Sequence, residues 1–206
     1  MNNVLLINAS PHGHVSHANQ LAVELVATLR QRYPRLELVE RDLGRYPLPP
    51  LDMDYAHALA TPTPFDSPVF EHSEALIGEL ERCDILFIAT PMHNFTLPAA
   101  LKLWVDYVLR IHRTFRSTPE GKIGLLKQRP VYVLVGSGGF HQGESARQPD
   151  FLTPYLHQVL NTLGLLNPHF TYLQGLVFGD EAVRSTLEAS RARLAQEPLF
   201  KDLLGA

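Results

Sequence analysis

Three short stretches carry the residues best suited to chemistry. The first is Asn8-Ala-Ser-Pro-His-Gly-His-Val-Ser-His-Ala-Asn19. It joins an apolar run to a helical pattern, so unpaired N–H groups and the positive end of a helix dipole stand open to an anion. Ser10 and Ser16 add hydroxyl donors and Asn19 an amide. No Lys or Arg falls within the stretch. A phosphate here would rest on neutral donors, which suits a terminal phosphomonoester better than a pyrophosphate. The alternative is that Ser16 is merely an N-cap. The second stretch, Thr90-Pro-Met-His-Asn-Phe-Thr-Leu-Pro98, follows the strand-like run Ile85-Leu-Phe-Ile-Ala89. Backbone N–H groups, Met92, His93, Asn94 and Phe95 at the carboxyl end of a strand suit a flat, partly apolar heterocycle with polar edges. Otherwise Met92 and Phe95 are core and His93 is solvated. In the third, Gly136-Ser-Gly-Gly-Phe-His141, missing Cβ atoms let the backbone approach a ligand closely. Its N–H groups can meet ring carbonyls and His141 can donate to a negative ring edge. An ordinary tight turn is the plain alternative.

Several other chemistries are disfavoured. Neither G-x-G-x-x-G nor G-x-x-x-x-G-K-[ST] occurs in the first stretch, which argues against a Rossmann dinucleotide site and a P-loop. Without G-x-S-x-G, serine hydrolysis loses its nucleophile elbow. His12, His14 and His17 could be imagined around zinc, but no Asp, Glu or Cys joins them within the loop, so no metal is expected. Cys83, with only Arg82 beside it, reads as buried rather than reactive. A low-molecular-weight phosphatase would need a Cys and an Arg flanking the first loop, and that loop has neither.

The elements that position these stretches follow from periodicity. Asn3–Asn8, Leu36–Glu40, Asp84–Ala89, Pro130–Val135 and a segment within His169–Phe178 read as strands, the first as a central parallel one. Ala18–Arg32, Phe70–Cys83, Ala99–His112, Phe151–Leu163 and Glu181–Gln196 read as helices, with a short extra one around Tyr55–Ala60 in the proline-rich excursion 42–64. Thr96 is expected to cap the helix that starts at Ala99, with Pro98 in its first turn. Arg113–Gln128 reads as a polar loop, and Trp104 as core or subunit contact. Strands alternating with helices imply an α/β fold with a parallel sheet covered on both faces, of order 2-1-3-4-5. That order brings the three loops together at its switch point.

Composition sets the bounds. The 206 residues suit a single domain spanning 1–206, and 45% apolar content marks it as globular. Eighteen basic against 21 acidic residues give a net charge of −3, which predicts neither a nucleic-acid nor a membrane partner. One Cys excludes an internal disulfide framework. No apolar run is long enough to span a bilayer and no leader pattern opens the sequence, so a cytoplasmic location is expected.

With its loops placed, the chain resembles the FMN-dependent NADH-azoreductases, a branch of the flavodoxin-like NAD(P)H:quinone oxidoreductases. The resemblance covers nearly the whole sequence. It is most specific in Ser10, Ser16-His-Ala-Asn-Gln-Leu21, Pro91-Met-His-Asn-Phe95 with Pro98, Leu101 and Lys102, Thr114-Phe-Arg116, Gly138-Gly-Phe-His141 and Thr153-Pro-Tyr-Leu156. It implies a flavodoxin-like three-layer sandwich, FMN as cofactor, NADH or NADPH as co-substrate, and a homodimer. The implied reaction is two-electron ping-pong reduction of a quinone or azo compound. It also implies that Ser10, Ser16, His17 and Ala18 hold the FMN phosphate. Pro91, Met92, His93, Asn94 and Phe95 would line the isoalloxazine. Gly136, Ser137, Gly138 and Gly139 would face its pyrimidine edge, with His141 near its O2 in a catalytic role. His93 stands where the family often has Tyr, Ala18 where it often has a second Ser, and Gly136-Ser137 where it often has Ser-Arg. These departures bear on substrate preference more than on flavin binding. Arg45, Arg113 and Arg116 are either contacts for a 2′-phosphate or surface charges. The alternative reading is a flavin-binding regulatory or electron-transfer subunit on the same fold.

Overall fold

The computed structural model describes residues 1–201 and 203. Five strands form one sheet: β1 (Asn3–Asn8), β2 (Glu37–Asp42), β3 (Ile85–Pro91), β6 (Val131–Gly136) and β7 (His169–Leu173). Their spatial order is β2-β1-β3-β6-β7, and every pairing is parallel. This is the order 2-1-3-4-5 read from the sequence, and the fold is flavodoxin-like.

The central strands carry unbroken apolar runs, Val4–Ile7, Ile85–Ala89 and Val131–Val135, because helices cover both faces. Alternation then sends successive side chains to opposite layers. Leu5 and Ile7 join the core under α3 (Glu71–Arg82), α4 (Ala99–Val108) and α5 (Leu152–Leu163). Val4 and Leu6 join the opposite core under α1 (His17–Arg32) and α6 (Asp180–Leu194). Trp104 of α4 is fully buried in the first layer, which settles it as core within this chain. Cys83 caps the end of α3 and is buried, as expected, but its cationic neighbour is Arg129, with Nη1 3.4 Å from Sγ, rather than Arg82.

Four local expectations are revised. First, the stretch read as a polar loop at 113–128 contains an antiparallel hairpin, β4 (Phe115–Thr118) with β5 (Gly121–Gly124). Its strands are four residues each, too short for a period-2 signal to stand out. Gly124 is fixed by close approach, since a Cβ there would sit 2.0 Å from the Gly164 nitrogen. Second, α4 stops at Val108 rather than at His112. The Thr114 hydroxyl donates to the Val108 carbonyl at 2.6 Å and accepts the Arg110 N–H at 3.0 Å. Those bonds replace the next helical turn. Third, the residue at the N-cap of α4 is Pro98, not Thr96, which is engaged in a turn with His93. Fourth, α2 (Met53–Ala60) begins two residues before Tyr55, because the Asp52 carboxylate accepts the Tyr55 N–H at 2.8 Å and caps it.

Candidate functional site

The carboxyl ends of β1, β3 and β6 are bonded to one another through the backbone. Ala9 donates to the Ala89 carbonyl at 2.9 Å and Met92 to that of Gly136 at 2.8 Å. The loops that leave these strands enclose a cavity of about 380 Å³. It is lined by Ser10, His12, Val15, Ser16, His17 and Ala18 from the first loop, Pro91, Met92 and His93 from the second, and Gly136, Ser137 and Gly138 from the third. Leu176 and Val177 close it from the loop after β7.

At the N-terminus of α1, Ser16 occupies the N-cap position, yet its hydroxyl makes no capping bond. The amides of His17 and Ala18 lie in the first turn, where an α-helix provides no acceptor one turn back. No acidic side chain occupies that turn. The result is an open set of neutral donors at a helix terminus, as an anion requires. Ser10 is held beneath it: its N–H meets Asn8 Oδ1 at 3.2 Å, and its hydroxyl oxygen accepts from the His12 N–H at 3.2 Å.

The second loop turns tightly. His93 and Thr96 exchange backbone bonds of 2.8 and 3.0 Å around Asn94 and Phe95, whose φ angles are 46° and 72°. Positive φ at both central positions is the two-residue hairpin turn that Asn tolerates and Phe does not favour. Asn94 and Phe95 therefore project beyond the cavity lining, with Phe95 46% exposed.

The third loop is pinned from β7 and beyond. Ser137 N–H donates to the Leu173 carbonyl at 2.8 Å, and Leu176 N–H to the Ser137 carbonyl at 3.1 Å. A Cβ on Gly138 would stand 2.8 Å from Val177 Cγ1, so a glycine is what lets these two loops touch. The Ser137 hydroxyl donates to the Gly139 carbonyl at 2.8 Å. It can then only accept at His141 Nδ1, 3.1 Å away, which assigns the imidazole proton to Nδ1. Nε2 is left as a buried acceptor without a partner. His141 is only 5% exposed and its ring packs edge-on against Tyr172 at 5.3 Å. Burial pushes the imidazole pKa down, opposed by the nearby Asp150 carboxylate. Asp150 itself is lowered: burial would raise it, but bonds from Thr153 and Gln142 prevail.

The structure thus brings Ser10, Ser16, His17, Ala18, Pro91, Met92, His93, Gly136, Ser137 and Gly138 onto one cavity wall. It places Asn94, Phe95, Gly139 and His141 just outside that lining, with His141 behind Ser137 and in acceptor form rather than as a free donor. Sequence reasoning missed His12, Val15, Leu176 and Val177. The last two were findable, since the loop after β7 emerges at the same sheet edge. Nor do the three loop histidines converge: His12 and His17 line the cavity, whereas His14 Nδ1 lies 3.7 Å from Glu40 Oε1. Arg113 is bound to Glu74 and Glu81 at 2.9 and 2.7 Å, so it is a structural ion pair before it is a contact for any ligand. Among the described residues no helix is long and apolar enough to cross a membrane.

The donor set fits FMN on the structure's own terms: neutral donors for a phosphomonoester, apolar Met92, Leu176 and Val177 beside polar backbone, and a volume within the ligand-pocket range of roughly 300–1,000 Å³.

Comparison with known proteins agrees. Residues 2–197 match the family model described as the flavodoxin-like fold. The chain is 78% identical over 206 residues to an FMN-dependent NADH:quinone oxidoreductase 4 of Pseudomonas fluorescens, covering 100% of both chains. It is 52% identical over 200 residues to an FMN-dependent NADH:quinone oxidoreductase 5 of Burkholderia lata, covering 97% of this chain and 96% of the relative. Among solved structures, an FMN-dependent NADH-azoreductase of Bacillus anthracis in complex with FMN aligns with a TM-score of 0.74 at 22% identity. That alignment spans 95% of this chain and 100% of the other, and at that identity it speaks for the fold.

Proposed function

The chain belongs to the flavodoxin-like-fold family, and on that footing we propose that it is an FMN-dependent NADH:quinone oxidoreductase that also reduces azo compounds. The observation that carries the reading is the uncommitted Ser16 hydroxyl at the α1 N-terminus, facing a cavity walled by Met92 and the Gly136–Gly138 backbone. Identity of 78% to a relative of that activity supports it over the whole length. FMN held here would supply the two-electron hydride chemistry that links NADH to the acceptor.

The protein's part is binding, orientation and electrostatics. Ser10, Ser16 and the amides of His17 and Ala18 hold the phosphate end with neutral donors, leaving its charge uncompensated by any basic side chain of the first loop. Pro91, Met92 and His93 would hold the ring system, with Asn94 and Phe95 beside them. Gly136, Ser137, Gly138 and Gly139 would present backbone to the pyrimidine side. With the Ser137 N–H already given to Leu173, the N–H groups of Gly138 and Gly139 are the ones that would favour negative charge developing there. His141 acts through Ser137, whose hydroxyl it fixes. A cavity walled in this way would hold a planar substrate against the bound group, a proximity effect.

Residues 1–206 act as one domain in this reading, in the cytoplasm. A second copy of the chain completes the site. Val177 is 72% exposed at the cavity and Phe178 64% exposed beside it, while Phe95, bonded to the Phe151 amide, also stands open. So many exposed apolar groups around one site favour a covering partner. Sedimentation at micromolar concentration should give twice the chain mass; a monomer would remove the dimer from the proposal.

The test of function is the visible spectrum of the purified protein with FMN, followed on anaerobic addition of NADH and then of a benzoquinone. Bleaching by NADH and recovery on adding quinone are expected. Failure to take up flavin would overturn the reading. Bleaching without reoxidation by quinone or azo dye would leave a flavoprotein with a different acceptor.

A further inference from the structure

Away from the flavin cavity, one cluster has ligands and no structural explanation. Glu40 and Asp42 lie two residues apart on β2, so their side chains share a face of this edge strand. His14, in the short 3₁₀ turn Gly13–Val15 of the first loop, faces them. One ligand atom from each of the three falls within 4.8 Å of the other two.

The informative member is Asp42. It is only 5% exposed. Its Oδ1 accepts the N–H groups of Gly44 and Arg45 at 3.0 and 2.9 Å, which fixes the carboxylate plane. Its Oδ2 is buried and has no partner. No Lys or Arg pairs with Asp42 among the described residues: Arg41 turns to Glu79 and Arg45 lies over the Tyr46 ring. A buried carboxylate oxygen left bare is costly. Oδ2 faces the first loop, 3.8 Å from where a Cβ on Gly13, the neighbour of His14, would stand.

We propose that His14, Glu40 and Asp42 form a binding site for a divalent transition-metal ion of the zinc class. Two carboxylates and a neutral imidazole give a net charge of −2, which such an ion cancels. The imidazole favours zinc and its neighbours over magnesium, which prefers oxygen alone. A bare cation bonds at about 2.0–2.2 Å and reaches an oxygen that a water molecule does not. His14, with its exposed side chain, and Glu40, whose side chain is part-exposed, would turn toward the ion to close the ligand set. The site ties the first loop to the edge strand. A Cβ on Gly44 would meet the Ser10 carbonyl at 2.7 Å, so the Asp42–Gly44 turn already presses on the loop that presents Ser10 and Ser16. Metal at this site therefore makes that loop stiffer.

The experiment is calorimetric titration of the FMN-loaded protein with Zn²⁺ in a non-chelating buffer, repeated on His14→Ala, Glu40→Gln and Asp42→Asn. His57→Ala, on the exposed face of α2, controls for adventitious histidine binding. One equivalent of Zn²⁺ per chain is expected, weakened at least tenfold in each of the three variants and unchanged in His57→Ala. A Zn²⁺-dependent rise in melting temperature should disappear in the same three. Because Asp42 also supports its own turn, His14→Ala, at an exposed side chain, and the isosteric Glu40→Gln decide the matter if Asp42→Asn folds poorly. No uptake of Zn²⁺, or uptake unaffected by His14→Ala and Glu40→Gln, would overturn the proposal.

Discussion

Two of the cavities bounded by the described residues bear comparison, and the larger of the pair is the less reactive. The larger, about 560 Å³, lies between residues 58–65 and Arg110, Ile111 and His112. Its one strong charge is already engaged. Arg110 Nη1 donates to Ser73 Oγ at 3.1 Å and to Glu74 at 2.6 Å, and its guanidinium lies 3.7 Å from the Phe70 ring centroid. Glu74 is shared with Arg113, which also holds Glu81. The smaller cavity, about 380 Å³, contains no salt bridge among its lining residues, but its Ser16 hydroxyl and first-turn amides lack protein acceptors. Volume alone does not mark a site; polar groups left free for a ligand do. The Arg110 cluster is built for stability and the Ser16 cluster for binding.

The largest expected effect tests the stability side. Arg110→Ala removes a buried cation from Glu74 and from the Phe70 face, and should cost about 3 kcal/mol in urea unfolding while leaving FMN affinity nearly unchanged. A parallel loss of flavin would show that the two regions are coupled. Ser16→Ala tests the other side. An N-cap serine usually contributes about 1 kcal/mol to its helix, but this hydroxyl bonds to nothing within the helix. Stability should therefore change little, while FMN binding, followed by flavin fluorescence, weakens about tenfold through loss of a charge-assisted bond. Equal losses in both would return Ser16 to a simple cap.

Smaller still is the strain of the second loop. Phe95→Gly removes a positive-φ side chain at 72° and should raise stability by about 0.5–1 kcal/mol, with weaker flavin retention as its cost. The smallest effect concerns pH. Folding lowers the His141 pKa below the ordinary 6.5, so the unfolded chain takes up that proton first as pH falls. Stability from keeping His141 neutral is complete above 6.5 and declines as pH drops through the folded-state value. His141→Gln should flatten melting temperature across that window. The lowered pKa of Asp150 acts only further down, below about 3.8, so the two are separable.

Much of this was legible in one dimension. The central strands announce themselves because burial on both faces demands unbroken apolar runs, as in Val4–Ile7 and Ile85–Ala89. The site loops are legible because glycines, serines and prolines gather where strands end. The β4–β5 hairpin was not, since its four-residue strands lie off the main sheet and are set by contact between Gly124 and Gly164. The end of α4 was hidden as well, because Thr114 stops it from six residues beyond.

Apolar runs alternating with helical stripes encode the layered α/β plan, and turn chemistry at strand ends marks the three loops that meet at the sheet edge; the individual contact residues within those loops come from the family resemblance. Only the tertiary structure supplies the remaining features, through packing between separate elements. It turned the His141 side chain behind Ser137 and left Nε2 without a partner, and it brought Leu176 and Val177 over Gly138. It also set His14 against Glu40 and Asp42, 26 and 28 residues away. Such pairings depend on where separate elements come to rest against one another, and no local pattern of residue types carries that distance.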